Sequence, residues 1–417
     1  MAGPSRTDAV ALDAAGPLAD FPARFVVADV ELAYLDGHSL GRLPVATAER
    51  LRRVVDDEWG HGLVRSWEHW IDLPGVVGDV LAPLLGVGPG EVVVADSVTA
   101  NLHRLVHAAC DLDPGRRSLV AVADDFPTDR YVVAGVARDR GLDVRWVPGR
   151  PIDGPDPEAL AGAIDGDVAL VVASLVDFRS AAVLDPAPVL AAARAGGALV
   201  LWDCSHAAGV LPLELGAIGD LAVGCTYKHL HGGPGAPAWL WARPDLVGRL
   251  RSPVAGWFAQ RDQFAMGAEH DPLPGPRRFL AGTPGVLGLA AAHEGARLVA
   301  DAGPGPMRDR SLALGTFALA VAEDRLVSLG FAVASPRNAQ RRGGHLALSH
   351  PEAPAVGRAA RAAGVVPDVR PPDLLRLGLS PLATRFVEVW DGIDRIAAIV
   401  AAGRHRRGAT GPPLRVT

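Results

Sequence analysis

The chain has 417 residues, of which 49% are apolar and 21% charged, with a formal net charge of -6 at pH 7. That length exceeds what one hydrophobic core usually organises, so two domains are expected and neither needs staples to fold. The slight acidity, with both signs interspersed, excludes the basic face that nucleic-acid binding requires and leaves a small molecule as the expected partner.

Residues 1 to about 20 are Ala-rich without clear period and read as a flexible or loosely packed start. Asp8, Asp13 and Asp20 interrupt what would have to be the apolar core of a signal peptide. No run reaches the roughly 18 uncharged apolar residues of a membrane span, so a cytoplasmic protein without membrane contact is expected. Leu32-Ala33-Tyr34-Leu35-Asp36-Gly37-His38-Ser39-Leu40-Gly41 reads as a short strand entering a turn, followed by a helix from about Val45 to Trp59. From Glu91 onward short apolar runs alternate with helical segments, the pattern of βαβ units on a parallel sheet. The runs are Val92-Val94, Leu119-Val122, Val144-Val147, Val168-Ala173, Ala198-Trp202 and Leu221-Val223, each read as covered on both faces, with Pro237-Trp241 as a further strand.

A long helix to about Ala302 leads into a second α+β block, with helices near Arg310-Leu329 and Ala353-Ala363 and strands near Leu346 and Leu375. The expected division is an arm at 1–50 packing with the smaller domain, a large domain at 51–290, a small domain at 291–403 and a disordered tail at 404–417. Cys110, Cys204 and Cys225 lie in or beside apolar segments and read as reduced, mostly buried thiols without a disulfide. No GxGxxG follows the first strand, which argues against a nicotinamide enzyme. His103 and His107 stand at i, i+4 spacing, but no Glu follows the first and no third ligand is in sight, so no metal is expected.

Lys228 is the only lysine in the chain. Arginine replaces lysine as a surface cation but cannot serve as an amine nucleophile, whereas a lysine amine can form a Schiff base. Lys228 follows an apolar run and precedes Gly232-Gly233-Pro234-Gly235, which places its amine at a strand end, where open α/β sheets bind ligands. Pyridoxal phosphate asks for such a lysine and for an acid at its pyridine nitrogen, and Asp203, ending the run before it, is the candidate. His206 could lie against the ring or its phenolic oxygen, or be an ordinary loop histidine. Asp96-Ser97-Val98-Thr99-Ala100-Asn101 offers backbone N–H groups and hydroxyls at a helix entry, suited to a phosphate. Asp125-Phe126-Pro127-Thr128-Asp129 stands at the next strand end; Phe126 could stack on a ring and Asp129 reach it, with Pro127 and Thr128 beside them, and a plain helix entry is the alternative.

Trp202-Asp203-Cys204-Ser205-His206-Ala207-Ala208-Gly209 and Thr226-Tyr227-Lys228-His229-Leu230-His231-Gly232-Gly233-Pro234-Gly235-Ala236-Pro237 resemble the kynureninase family, pyridoxal-phosphate enzymes of the aspartate-aminotransferase fold type. The resemblance runs from Tyr34 to Asp391. It implies an α/β fold of type I, with a mostly parallel seven-stranded sheet between helices plus a smaller α+β domain. It further implies Lys228 as the Schiff-base lysine, Asp203 at the pyridinium, and Tyr227 at the phosphate and in proton transfer. Val98, Thr99, Phe126, Asp129, Ser174 and His206 then surround the cofactor, and Trp257 and Thr283 reach it across a homodimer interface. Arg376 clamps the substrate's α-carboxylate, with Trp59, His61 and His38 as further substrate candidates. The implied reaction is hydrolysis of L-kynurenine, or a ring-substituted relative such as 3-hydroxykynurenine, to an anthranilate and L-alanine. His38, where the family often has Asn, and Leu175-Val176-Asp177-Phe178-Arg179-Ser180-Ala181, where it tends to His-Val-Asn-Tyr-Arg-Thr-Gly, depart from the pattern.

Rivals are another enzyme of this fold type, such as an aminotransferase or a cysteine desulfurase, and an idle binding protein. A desulfurase needs a nucleophilic cysteine on a mobile loop, and none of the three cysteines sits on one by this reading. An idle scaffold has no need of Lys228, Asp203 and Arg376 together.

Overall fold

The computed structural model describes residues 3–27 and 29–406. The strands are β1 (Ala33–Leu35), β2 (Val92–Ala95), β3 (Ser118–Val122), β4 (Asp143–Val147), β5 (Gly149–Arg150), β6 (Gly154–Pro155), β7 (Val168–Ser174), β8 (Leu199–Asp203), β9 (Leu221–Gly224), β10 (Ala238–Ala242), β11 (Ala332–Val333), β12 (His345–Ser349), β13 (Val365–Arg370) and β14 (Leu374–Gly378). Seven of them form a sheet in the order β2-β10-β9-β8-β7-β3-β4. All pairs are parallel except those of β10, which runs antiparallel to both β2 and β9.

Alternate residues of these strands enter two separate cores. Val92, Val94, Val120, Val171, Val200, Trp202 and Trp239 face one side, and Val93, Leu119, Leu170, Val172, Leu201, Val223 and Leu240 face the other. Burial on both faces is why the runs are continuously apolar instead of alternating. β4 departs from that reading: it pairs only with β3, and Trp146 is 39% exposed. As an edge strand it is half solvated, in keeping with Arg145 inside the run.

The second sheet, β1-β13-β14-β12-β11, rests on helices Pro304–Arg325 and Phe386–Ala401 through Leu314, Phe317, Val321, Ile393 and Ile396. β1 pairs parallel with β13, so the N-terminal strand completes a sheet otherwise built from the last quarter of the chain. The helix Val286–Ala302 crosses the expected boundary at 290, with Leu289, Ala292, Ala296 and Val299 in the core of the large sheet.

The N-terminus is not the loose start expected from its composition. Ser5 caps a helix Arg6–Asp13 in a reciprocal capping box with Asp8. Asp13 then accepts hydrogen bonds from the backbone N–H groups of Phe386 (2.7 Å) and Val387 (3.0 Å), capping helix Phe386–Ala401 from outside. Those are orphan donors at the positive end of a helix dipole, so a carboxylate there stabilises twice over. We expect Asp13→Ala to cost about 1–2 kcal/mol of unfolding free energy, measured by denaturant titration.

At the other end, Arg404–Arg406 form a single helical turn in which His405 is buried against Glu352 at 3.2 Å, so the expected tail does not begin at 404. Residues 407–417 lie outside the described residues. The helix expected to end at Trp59 runs as α-helix over Val45–Arg53 and continues as a wider π-helical stretch, Val54–Gly62. Among the described residues no helix is long and apolar enough to cross a membrane.

Candidate active site

β2, β3, β7, β8 and β9 run in one direction, so their carboxyl ends open onto one edge of the sheet, the ligand-binding edge of doubly wound folds. A cleft of ≈ 730 Å³, mouth included, lies there, which suits a small molecule. Each strand end supplies part of its wall: Val98 and Thr99 after β2, Phe126 and Thr128 after β3, Ser174 at the end of β7, Asp203, Ser205 and His206 from β8, Tyr227 and Lys228 after β9.

Lys228 is central. Its Nζ lies 2.9 Å from His206 Nε2 and 5.9 Å from the centroid of the Phe126 ring. The loop that carries it is pinned to the chain's first motif, for the Gly41 N–H donates to the Tyr227 carbonyl at 2.8 Å. A Cβ on Gly41 would stand 2.4 Å from the Lys228 carbonyl oxygen, so only glycine permits this approach. At the cleft's far end Ser97 caps helix Val98–Cys110, its Oγ accepting from the Ala100 N–H. The first N–H groups of that helix are ordinary orphan donors, and with the Thr99 hydroxyl they make an anion seat. Arg104 offsets the one acid beside it, pairing with Asp96 at 2.6 Å.

Three buried carboxyls interact with one another at these strand ends, and the charge of Lys228 acts on two of them, Asp129 and Asp203. Asp125 accepts from the Ser174 N–H (2.8 Å), the Ser174 hydroxyl (2.6 Å) and the Phe126 N–H (2.8 Å), and burial still pushes it up to about 6. Asp203 is raised by burial, against which a hydrogen bond from the Ser205 N–H at 2.6 Å and the Lys228 ammonium both act. Asp129 is raised well above the usual range by burial first and by repulsion from Asp203 and Asp125, with the Lys228 ammonium acting against them as it does on Asp203, and neither of its oxygens has a hydrogen-bond partner. Lys228 acts on both acids, so the hydrogen bond decides, and the proton goes to the acid whose anion accepts none. Asp129 is therefore the neutral acid and Asp203 the carboxylate. On Tyr227, the Cys225 thiol, burial and Asp203 all push the phenol well above its ordinary value, so it remains a proton donor at neutral pH.

The other expected residues stand elsewhere. Pro127 opens helix Pro127–Arg140 beside the cleft without lining it. Arg376 on β14 is 1% exposed and sits behind the wall, paired with Asp368 and donating to the carbonyl of Phe178, whose side chain lines the cleft. His38 is also fully buried behind it, stacked on His345. Trp59 and His61 lie exposed on the π-helical stretch, with His61 Nδ1 bonded to the Asp56 carbonyl. Trp257 is 44% exposed and donates to the Gln263 carbonyl, and Thr283 lies in an exposed bend. None of these four lines the cleft of this chain. Sequence reasoning assigned no task to Asp125 or Val176, nor to Phe178, which the departing segment had flagged as a place to look. His345 carried no signal at all.

The residues present fit a phosphorylated pyridine aldehyde. The cleft has one amine, an anion seat, an aromatic wall and a buried carboxylate, while Asp129, a buried acid without a hydrogen-bond partner, stands one residue beyond its lining residue Thr128 and does not line it. The model of the kynureninase C-terminal domain matches residues 307–396. Kynureninases of Pseudomonas fluorescens and of Burkholderia pseudomallei are each 38% identical over 405 residues, covering 95% of this chain and 95% of their own. Among solved structures, the cystine C–S lyase C-DES with its product cysteine persulfide superposes with a TM-score of 0.77 at 19% identity, over 88% of this chain and 98% of its own. A cysteine desulfurase from Thermococcus onnurineus NA1 does so with 0.78 at 16% identity, over 93% and 99%. At such identities these two speak for the fold alone.

Proposed function

This chain belongs to the kynureninase family, and from that membership we propose that it uses pyridoxal 5'-phosphate to cleave L-kynurenine, or a ring-substituted relative, with water into an anthranilate and L-alanine. The observation that carries the reading is the only lysine of the chain, set at the sheet edge beside a buried carboxylate and an anion seat. When bound, the cofactor supplies the electron sink that lets a Cα proton leave.

The chain's residues do the rest. Lys228 would hold the cofactor covalently, and its amine, when free, would take the Cα proton. Asp203 as a carboxylate would keep a proton on the pyridine nitrogen, and Val98, Thr99 and Ser97 would seat the phosphate. Phe126 and His206 would line the ring's place. Tyr227, kept protonated, is the donor for the carbon released when the Cβ–Cγ bond breaks, while the oxygen of water ends in the new aromatic carboxylic acid. General acid and base groups of this kind contribute typically 10²–10⁴-fold.

Arg376 is the proposed seat of the α-carboxylate, exchanging the Phe178 carbonyl for a bidentate contact. Lysine cannot make that contact, so Arg376→Lys is expected to raise KM by about tenfold to hundredfold in steady-state kinetics, with a smaller effect on kcat. The reading includes a cytoplasmic homodimer in which Trp257 and Thr283 serve the partner's site, supported by the exposed apolar surface of Trp257, Phe264 and Met266. It also takes 51–290 as the cofactor domain and 291–403 as the small domain. A desulfurase reading is disfavoured because Cys110, Cys204 and Cys225 are all buried, and burial raises each thiol, that of Cys110 to about 11.

The test is to supply protein and cofactor with L-kynurenine and separately with 3-hydroxykynurenine and to follow each aromatic product. Release of an anthranilate with alanine is expected. Pyridoxamine phosphate in place of alanine would make the chain an aminotransferase.

A further inference from the structure

His231, three residues past Lys228, stands at a joint between the two sheets. Its φ is +54°, a left-handed conformation that residues other than glycine keep only where their surroundings fix it. Here the chain presses on it from both sides. A Cβ on Gly41 would stand 2.4 Å from the Lys228 carbonyl oxygen and 2.6 Å from His231 Nδ1, and one on Gly295 of helix Val286–Ala302 would stand 2.7 Å from the His231 carbonyl oxygen. Within the loop the His231 N–H donates to the Lys228 carbonyl at 3.1 Å, and the Gly232 N–H donates to the Thr226 carbonyl at 2.8 Å. The backbone around Lys228 is thereby closed into a tight turn whose last residue is His231.

The side chain is buried, and both of its ring nitrogens have partners. Nδ1 lies 3.2 Å from the Arg42 carbonyl, which can only accept, so Nδ1 carries the proton. Nε2 then presents its lone pair to the Ser380 hydroxyl at 3.3 Å. Burial pushes the ring down to about 4, with the Arg42 carbonyl acting against it, so the imidazole is neutral at working pH. Each partner is itself held. Arg42 pairs with Glu388, which also accepts from the Tyr34 N–H at 2.7 Å, and the Ser380 N–H donates to Thr384 Oγ1 at 3.1 Å. Ser380 stands four residues past Arg376, just beyond the end of β14. Among the described residues, the bond from Ser380 to His231 is the only hydrogen bond that joins residues 225–235 to residues 374–384.

We propose that His231 is a positioning residue of the reaction, a link that holds the loop of Lys228 at a fixed separation from the strand of Arg376. The inference rests on the reading in which Arg376 seats the substrate's α-carboxylate and Lys228 takes the Cα proton. Those two side chains hang from different sheets, Lys228 after β9 of the first and Arg376 on β14 of the second. Cα is bonded directly to the carboxylate carbon, so drift of one sheet against the other moves the amine off the proton it must take. A misplacement of about 1 Å can cost roughly 10²-fold in rate. His231 spans the joint with one bond to the arm and one to the exit of β14, while its backbone N–H holds the Lys228 carbonyl. It does not line the cleft and acts through Lys228.

The variants Ser380→Ala and His231→Gly test this. Glycine accepts the left-handed φ, so the second variant removes the ring and keeps the path of the backbone. In the holoenzyme each is expected to lower kcat per bound cofactor about tenfold or more, with KM within about threefold of the parent. The double variant should fall no more than about twofold below the worse single one, since both break the same link. An unchanged kcat, a loss carried by KM, or losses that multiply overturn the proposal. A second readout needs neither cofactor nor turnover. In the full chain without cofactor, the amide protons of His231 and Gly232 should exchange with D₂O about tenfold faster in Ser380→Ala than in the parent, with rates in β8 and β9 unchanged. Equal exchange in the two proteins, or a rise spread over the whole sheet, overturns the link and leaves His231 a packing residue. Exchange thus decides the link, and the product assay decides the reaction it serves.

Discussion

Replacing Lys228 by alanine is expected to lower kcat for kynurenine cleavage by at least about 10⁴-fold, to the detection limit of an anthranilate assay. Two tasks vanish together, the covalent hold on the cofactor and the base that takes the Cα proton, so neither can compensate for the other. Lys228→Arg separates chemistry from charge. A guanidinium keeps a cation beside Asp203, Asp129 and His206, so the electrostatics of the buried acids survive, but it stays protonated and cannot form a Schiff base. That variant should fold as the parent does, lose the near-visible absorption of the bound cofactor, and be as inactive as Lys228→Ala. Retention of a few per cent of activity in Lys228→Arg would reduce the lysine to an electrostatic partner.

Asp203→Asn should cost about 10³-fold or more in kcat while leaving KM within a few-fold. The argument is one of charge assignment. Four groups share the buried space, Lys228 and the carboxyls of Asp125, Asp129 and Asp203, and the site can hold few anions. Asp203 has the Ser205 N–H at 2.6 Å and the lysine to support its charge; Asp129 has no hydrogen-bond partner. An amide at 203 keeps the shape and the Ser205 contact possible through its oxygen, but removes the negative charge that keeps a pyridine nitrogen protonated. Asp129→Asn, which replaces one neutral group by another, should be the milder of the two by at least about tenfold, because only the Asp203 substitution removes an anion.

Much of this was legible in residues. The central strands could be read because both faces are covered, which makes Val92-Val94 and Val168-Ala173 continuously apolar. β4 was read with them although Arg145 interrupts its apolar run, and it is an edge whose outer side is solvated. The start of the chain was misread as well. Its apolar period is weak, and what orders it is the Ser5/Asp8 cap and the contact of Asp13 with the end of a helix more than 370 residues away. In the site, Lys228, Asp203, His206, Tyr227, Thr99 and Phe126 stood in local motifs at strand ends, and the fold brings them to one cleft. Arg376 needed the family resemblance to be singled out, and its seat behind Phe178 needed the structure. His345 became visible only when the antiparallel pairing of β12 with β14 set it near His38 and His206. Trp59 and His61 sit on a helix that widens to π geometry and turns them to solvent in this chain.

The central claim is that the amine of Lys228 anchors the cofactor, and the composition of the chain makes it unusually simple to test. Apart from the α-amino group of Met1, Lys228 is the only amine the sequence carries. The holoenzyme is reduced with borohydride, weighed intact, digested and mapped by mass spectrometry. One phosphopyridoxyl adduct per chain, carried on the peptide that spans Tyr227-Lys228-His229, is the predicted result. No adduct, or an adduct confined to the N-terminal peptide, would contradict it.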